Sequence, residues 1–163
     1  VAVHRLDEPT SGLMMVPINK AMGSGLSKSF RERMVNKRYE AIVTGIMEKD
    51  EGSVDFPLMA DWPNRPRQKI DFENGRPSLT HYWVLERNVK DNWTRVDLEP
   101  YTGRSHQLRM HLMALGHAIL GDPLYADPET LAKAPRTLLH AKHLDLDHPL
   151  TGDKLVFDSP VPF

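Results

Sequence analysis

Two runs rich in β-branched and aromatic residues, Ser78–Glu86 and Thr94–Glu99, flank the polar turn signal Asp91-Asn92. Strands joined by so short a connection must pair antiparallel, because a parallel pair needs a crossover of a dozen or more residues. That hairpin constrains the fold more than any other feature. Lys37–Gly45 reads as a further strand, with Tyr39, Ala41 and Val43 on one face and Arg38, Glu40 and Ile42 on the other. Shorter strands are expected near Ser53–Leu58 and Lys154–Phe157, and a long one near Thr137–Leu146. Asn74-Gly75 marks a tight turn. Asn19 is a credible cap for a helix from Lys20 to about Met34, whose apolar stripe is Met22, Leu26, Phe30 and Met34. A second helix is expected from Arg104 to Leu115, stopped by Gly116, and a short third from Pro128 to Ala134. Few spacings fit βαβ units. The expected class is α+β, a largely antiparallel mixed sheet flanked by helices and loops.

A chain of 163 residues, 40% apolar and 26% charged, fits one domain over 1–163 with a core of its own. It has no cysteine, which excludes disulfides and thiolate metal sites and suggests a reducing, cytoplasmic setting. No apolar run is long enough for a membrane helix. Val1-Ala2-Val3 reads as the middle of a strand, so an N-terminal segment is expected to precede it. Net charge is only −1, yet Lys20, Lys28, Arg31, Arg33, Lys37 and Arg38 gather against the single acid Glu32. The C-terminal part is rich in aspartate. Such asymmetry suits a basic face for a polyanion, although, taken alone, a merely solvated surface is the better account of it.

Three segments have the residue types of a reactive site. Arg5 and Asp7, two apart on an expected strand, would share one face, and a carboxylate beside cations can act as a nucleophile. Read alone, Asp7 before Glu8-Pro9 is more simply a turn cap. Gly103–His111 opens a helix with Arg104, Ser105 and His106, three side chains suited to phosphate at a helix start. Arg109 lies beside the apolar stripe of that helix, so it can point inward, where it needs a carboxylate that the sequence does not name. Asp61-Trp62-Pro63-Asn64-Arg65-Pro66-Arg67-Gln68-Lys69 is too rich in proline and cations for an element interior and reads as a projecting loop. Gly23–Ser29 fails as a phosphate loop, because Ser27 precedes the lysine where glycine is needed. His106 and His111 are five apart, the wrong spacing for two metal ligands on one helix face, and no metal site is expected. His140, His143 and His148 read as structural or, at most, close to a nucleic acid.

His4-Arg5-Leu6-Asp7 with Thr10-Ser11-Gly12, Lys37-Arg38-Tyr39, Gly103–Arg109 and Leu120-Gly121-Asp122-Pro123-Leu124-Tyr125 stand in the order found in the RluA family of RNA pseudouridine synthases. The chain resembles that family over essentially its whole length. The resemblance implies an isomerase that flips a uridine from RNA, breaks its glycosidic bond and rejoins the base through C5. Asp7 would be the essential aspartate, whether it attacks the sugar, attacks the base or assists a glycal route. Arg109 would pair with it and fix its rotamer. Tyr39 would stack on the target base and is a candidate proton acceptor, while Leu139 would pack below the ring. Arg5 would enter the RNA stack at the vacated place; Arg65, Arg67, Lys69, Arg104 and His106 would bind RNA. The 61–66 loop resembles that of members acting on both 23S rRNA and tRNA, which implies an rRNA loop and a tRNA anticodon stem-loop as substrates. No cofactor is implied, since an isomerisation needs no redox or energy input, and a monomer is the default. The rival expectation is a catalytically silent RNA-binding or ribosome-assembly module on the same fold.

Overall fold

The expected hairpin forms. Thr80–Asn88 and Trp93–Pro100 pair antiparallel, and Asn92 turns the chain with a left-handed φ of 56°, a conformation that asparagine tolerates better than most residues. In the computed structural model, which describes residues 3–163, the elements are β1 (Ser11–Gly12), α1 (Lys20–Arg31), β2 (Asn36–Thr44), β3 (Glu51–Val54), β4 (Leu58–Ala60), β5 (Gln68–Ile70), β6 (Thr80–Asn88), β7 (Trp93–Pro100), α2 (Gln107–Ala114), α3 (Pro128–Ala132), β8 (Leu139–Asp147) and β9 (Lys154–Asp158). One sheet runs β1-β8-β2-β7-β6-β3, with β9 also on β8 beyond β1. All its pairings are antiparallel except β1 with β8. β4 and β5 form a separate two-stranded sheet. The fold is therefore α+β, and no helix among the described residues is long and apolar enough to cross a membrane.

One face of the large sheet is apolar and lies under the helices. Ala41 and Val43 of β2, Val96 and Leu98 of β7 and Leu139 of β8 pack against Leu108 and Leu112 of α2. Leu144 and Leu146 pack with Leu26 of α1 and with Phe30 and Met22 beside it. These two clusters share a face because of a bulge: Arg38 stands opposite His143 but Tyr39 opposite Ala141, leaving Lys142 as an extra residue in β8. A one-residue insertion reverses the alternation, so Leu139 and Ala141 before it and Leu144 and Leu146 after it all turn inward. Lys37 and Tyr39, opposite Leu144 and Ala141, are carried onto the same face.

Several expectations need correction. Arg5 and Asp7 are not on a strand; residues 5–7 are irregular and lead into a turn closed by Thr10 N–H to the Asp7 carbonyl, 2.9 Å. The strand reading of residues 1 and 2 lies outside the described residues. The strand expected over 53–58 is two short ones, β3 and β4, with Asp55–Pro57 between them. The tight turn expected at Asn74-Gly75 is present, one step earlier: it covers 72–74, Gly75 N–H reaches the Asp71 carbonyl, and the Asp71 carboxylate accepts from the N–H groups of Glu73 and Asn74. The first helix has the expected Asn19 cap, accepting from Met22 N–H at 2.9 Å. It ends at Arg31, however, and Met34 is exposed. Arg33 stands there at φ 58°, with Met34 N–H reaching the Ser29 carbonyl and Arg33 N–H that of Phe30. This is a Schellman ending with arginine in the left-handed position usually held by glycine, which costs about 1–2 kcal/mol. The second helix starts three residues late, because His106 also takes a left-handed φ, 54°.

Candidate active site

A cleft of about 710 Å³ opens between the end of α1 and the start of α2. Tyr39 and Leu139 form part of its floor, and the 3–10 segment contributes Arg5, Leu6, Asp7 and Thr10. That segment is held in place from both ends. His4 stacks on Phe30 of α1, ring centroids 4.4 Å apart, and its Nε2 accepts from Met15 N–H at 2.7 Å. Gly12 presses so closely on the Ala141 backbone that a Cβ there would collide with it. Thus Thr10-Ser11-Gly12 fixes the chain beside β8, and Asp7 is delivered to the cleft by a tethered loop.

Arg109 lies behind Asp7, with only 1% of its side chain exposed. Asp122, fully buried, takes it in a bidentate grip: Nε to Oδ2 at 2.8 Å and Nη2 to Oδ1 at 2.7 Å. The remaining nitrogen, Nη1, stands 3.5 Å from Asp7 Oδ2. The guanidinium therefore faces two carboxylates, one locking its plane and the other open to the cleft. Burial pulls the Arg109 pKa down, but the hydrogen bond and charge of Asp122, with Asp7 added, leave it above its ordinary value. Asp122 is positioned by Gly121, whose φ of 77° and contact with the Arg136 carbonyl leave no room for a side chain. Its Oδ1 also accepts from Leu124 N–H at 3.0 Å.

A second chain of hydrogen bonds runs from the basic loop to the cleft. Gln68 N–H donates to the Tyr125 hydroxyl at 2.9 Å, and that hydroxyl lies 2.5 Å from His106 Nδ1. Tyr125 thus bonds both Gln68 N–H and His106 Nδ1, which leaves the Nε2 edge of the imidazole facing the cleft. Burial favours the neutral ring, lowering the His106 pKa. The Tyr39 phenol is pushed up to about 12, by burial first and then by the Asp7 charge. It keeps its proton throughout the neutral range. Burial also lowers the Lys37 pKa, and with Lys37 it pushes His4 down to about 4.

The structure thus gathers Asp7, Tyr39, Leu139, Arg5, Arg104 and His106 around one cleft, with Arg109 beneath it. Arg5 is exposed, and Arg104 Nε donates to the Pro77 carbonyl at 3.0 Å. Arg65, Arg67 and Lys69 are exposed but do not line the cleft; they lie on and beside β5, and Arg65 stacks on Trp62 at 4.3 Å. The expected cluster of phosphate-binding groups at the start of α2 is altered, since His106 Nδ1 is taken by Tyr125. Among the other histidines, His140 bonds Ser11 and Ser159, His143 bonds Asp145 and Asp158, and His148 accepts from Leu150 and Thr151 N–H. Sequence reasoning assigned no role to Asp122 and Tyr125. Their signal was the Leu120–Tyr125 motif, which singled out the segment without indicating that it returns to Arg109.

Residues 1–114 match the family described as RNA pseudouridylate synthase. The dual-specificity RNA pseudouridine synthase RluA of Pasteurella multocida is 52% identical over 160 residues, covering 98% of this chain and 73% of that protein. Its namesake in Escherichia coli K12 is 52% identical over 162 residues, covering 99% and 74%. Among solved structures, human RNA Pseudouridylate Synthase Domain Containing 1 superposes with a TM-score of 0.89 at 32% identity, covering 99% of this chain and 69% of that one.

Proposed function

Because the chain belongs to the RNA pseudouridylate synthase family, we propose that Asp7, Tyr39 and Arg109 carry out its reaction, the isomerisation of uridine to pseudouridine within RNA. The observation that carries this assignment is the Asp122–Arg109–Asp7 arrangement. A buried arginine whose plane is fixed by one carboxylate holds a second carboxylate at the cleft wall without being consumed by it. Asp7 is then free to act on the sugar or the base of a flipped nucleotide, or to assist a glycal route. Tyr39 supplies a ring for the extruded base to stack on, worth about 1–3 kcal/mol. Its raised pKa favours this role, with the hydroxyl as a hydrogen-bond donor, over proton acceptance. Leu139, buried beside it, would pack below the ring. Arg5, exposed at the cleft, is suited to fill the place the base leaves, because a planar guanidinium stacks as well as pairs.

The named activity of the two bacterial relatives supports a substrate range covering both rRNA and tRNA, through a stem-loop the two RNAs share. Arg104 and the Nε2 edge of His106 would meet RNA at the cleft. Arg65, Arg67 and Lys69 would extend the contact along phosphates outside it. The Gln68–Tyr125–His106 chain connects the two regions. The test is release of tritium from C5-labelled RNA, together with pseudouridine mapping on 23S rRNA and tRNA. Wild-type protein should release tritium, and Asp7→Ala should lose roughly 10⁴-fold or more in rate while still retarding the RNA in a gel. Normal turnover by Asp7→Ala would sink the assignment; tight binding without product in the wild type would favour the silent RNA-binding module.

A further inference from the structure

The outer end of the cleft contains an arrangement that the chemistry at Asp7 does not use. Tyr101, just past β7, is 51% exposed, and the Arg33 guanidinium lies 5.3 Å from its ring centroid. Exposed Met34 lies beside them on the same cleft wall, as does Arg104. Arg33 is at the left-handed closing position of α1, where glycine would be free of strain. No carboxylate among the described residues pairs with Arg33, Arg31 or Arg104. Arg38, Arg87 and Arg95, by contrast, all have acid partners. Arg104 is also burdened with like charge: burial, Arg76 and Arg33 together lower its pKa. An arginine in a strained backbone position, set against an exposed aromatic ring and left without a counter-ion, is the composition of a site for a base and its phosphate.

We propose that Arg33 and Tyr101 form a second stacking site, which takes an unpaired base next to the flipped uridine while Arg104 meets the intervening phosphate. The ligand class is a single-stranded ribonucleotide of either base type, since stacking on a ring or a guanidinium plane is tolerant of sequence. The proposal rests on the cleft being the RNA site, and it adds a binding determinant separate from the reacting residues. It also accounts for the strained arginine, which contributes to RNA binding at the expense of the helix end.

Two synthetic RNA stem-loops test it, one with 2-aminopurine 5′ and one with it 3′ of the target uridine, bound to otherwise wild-type protein and to protein carrying Asp7→Ala. Stacking should quench one of the two probes, and Tyr101→Ala should abolish that quench while Tyr101→Phe retains it. On unmodified stem-loop, Tyr101→Ala should raise KM roughly tenfold, with a much smaller change in kcat. Arg33→Gly should also raise KM while leaving the melting temperature unchanged or higher, because glycine relieves the left-handed strain. A quench independent of Tyr101, or an Arg33→Gly protein with unaltered KM, would overturn the proposal. Because the quench is read in the Asp7→Ala background as well, its outcome stands apart from the catalytic assignment. Failure of that assignment would instead appear as normal turnover by Asp7→Ala or as a wild type that makes no pseudouridine.

Discussion

Two concavities of nearly equal volume adjoin β2, about 710 Å³ at Asp7 and about 690 Å³ where Arg38, Asp97, Lys142, His143 and Asp158 meet. Both are rich in charge, and size does not distinguish them. The second is balanced within itself. Arg38 pairs with Asp97 at 3.2 Å, Lys142 with Glu40 at 2.9 Å and with Asp97 at 3.5 Å, and His143 with Asp158 at 2.6 Å. Beneath the first lies one fully compensated cation, Arg109, while Arg5, Arg31, Arg33 and Arg104, which line it, form no ion pair among the described residues. Charges that neutralise one another offer little to a polyanion. Unmatched cations around a held carboxylate keep their attraction for a polyanion, and this imbalance supports the proposed placing of the RNA at the Asp7 cleft.

The largest expected effect comes from breaking the one compensated cation. Asp122→Ala leaves a buried guanidinium with Asp7 alone at 3.5 Å, and loss of one partner of a buried pair costs about 3–5 kcal/mol. Thermal unfolding should shift down by roughly 10 °C, and turnover should collapse as Arg109, its plane no longer fixed by Asp122, stops holding Asp7 in its place at the cleft wall. Asp122→Asn, which can still accept from Arg109 and Leu124 N–H, should recover part of both. A stable, fully active Asp122→Ala would remove the central element of the site.

A smaller effect separates the two basic surfaces. Arg5→Ala and Arg104→Ala should each weaken RNA binding and reduce the slope of log K against log salt by about 1. Lys142→Met should leave both quantities unchanged, because its charge is already engaged by Glu40 and Asp97. Equal salt slopes for all three variants would erase the contrast between the concavities.

The smallest effect concerns pH, and it has opposite sign on the two sides. His4, beside the cleft, is pushed by burial and by Lys37 from 6.5 to about 4. Its contribution is intact above about 6.5 and is lost as pH falls toward 4, because the unfolded chain then binds the proton first. His143 is raised above 6.5 by its hydrogen bonds to Asp158 and Asp145, with burial opposing. Its contribution is complete below 6.5 and fades as pH rises through the raised value. Melting curves should therefore lose part of their acid-side slope in His4→Gln, with His106 and His111, also lowered by burial, keeping the rest, and should lose alkaline-side slope in His143→Gln. The same slope lost in both variants would contradict the assignment of the two environments.

Much of the fold was legible in the residues. The hairpin around Asn92, the Asn19 cap and the strand with Tyr39, Ala41 and Val43 on one face follow from local turn chemistry, capping and two-residue alternation. The misreadings have local causes too. Arg33 and His106 adopt left-handed φ values that sequence patterns assign to glycine or asparagine, so α1 ended earlier and α2 began later than periodicity implied. The Lys142 bulge was invisible because one extra residue in β8 has no composition signature. Asp7 was expected on a strand, yet an irregular segment tied down by His4 and Gly12 brings it to the cleft.

The sequence by itself determined which residues are candidates for the chemistry: an aspartate in His-Arg-Leu-Asp, a tyrosine on a strand and an arginine able to turn inward from a helix. Those are properties of motifs and of periods within one element. Only the tertiary structure decided that Arg109 belongs to Asp122 as well as to Asp7, that Tyr125 joins the basic loop to His106, and that one charged hollow is balanced while the other is not. Such facts depend on pairings between elements far apart in the chain. They exist only once burial has removed water and made each charge find a partner or remain unmatched.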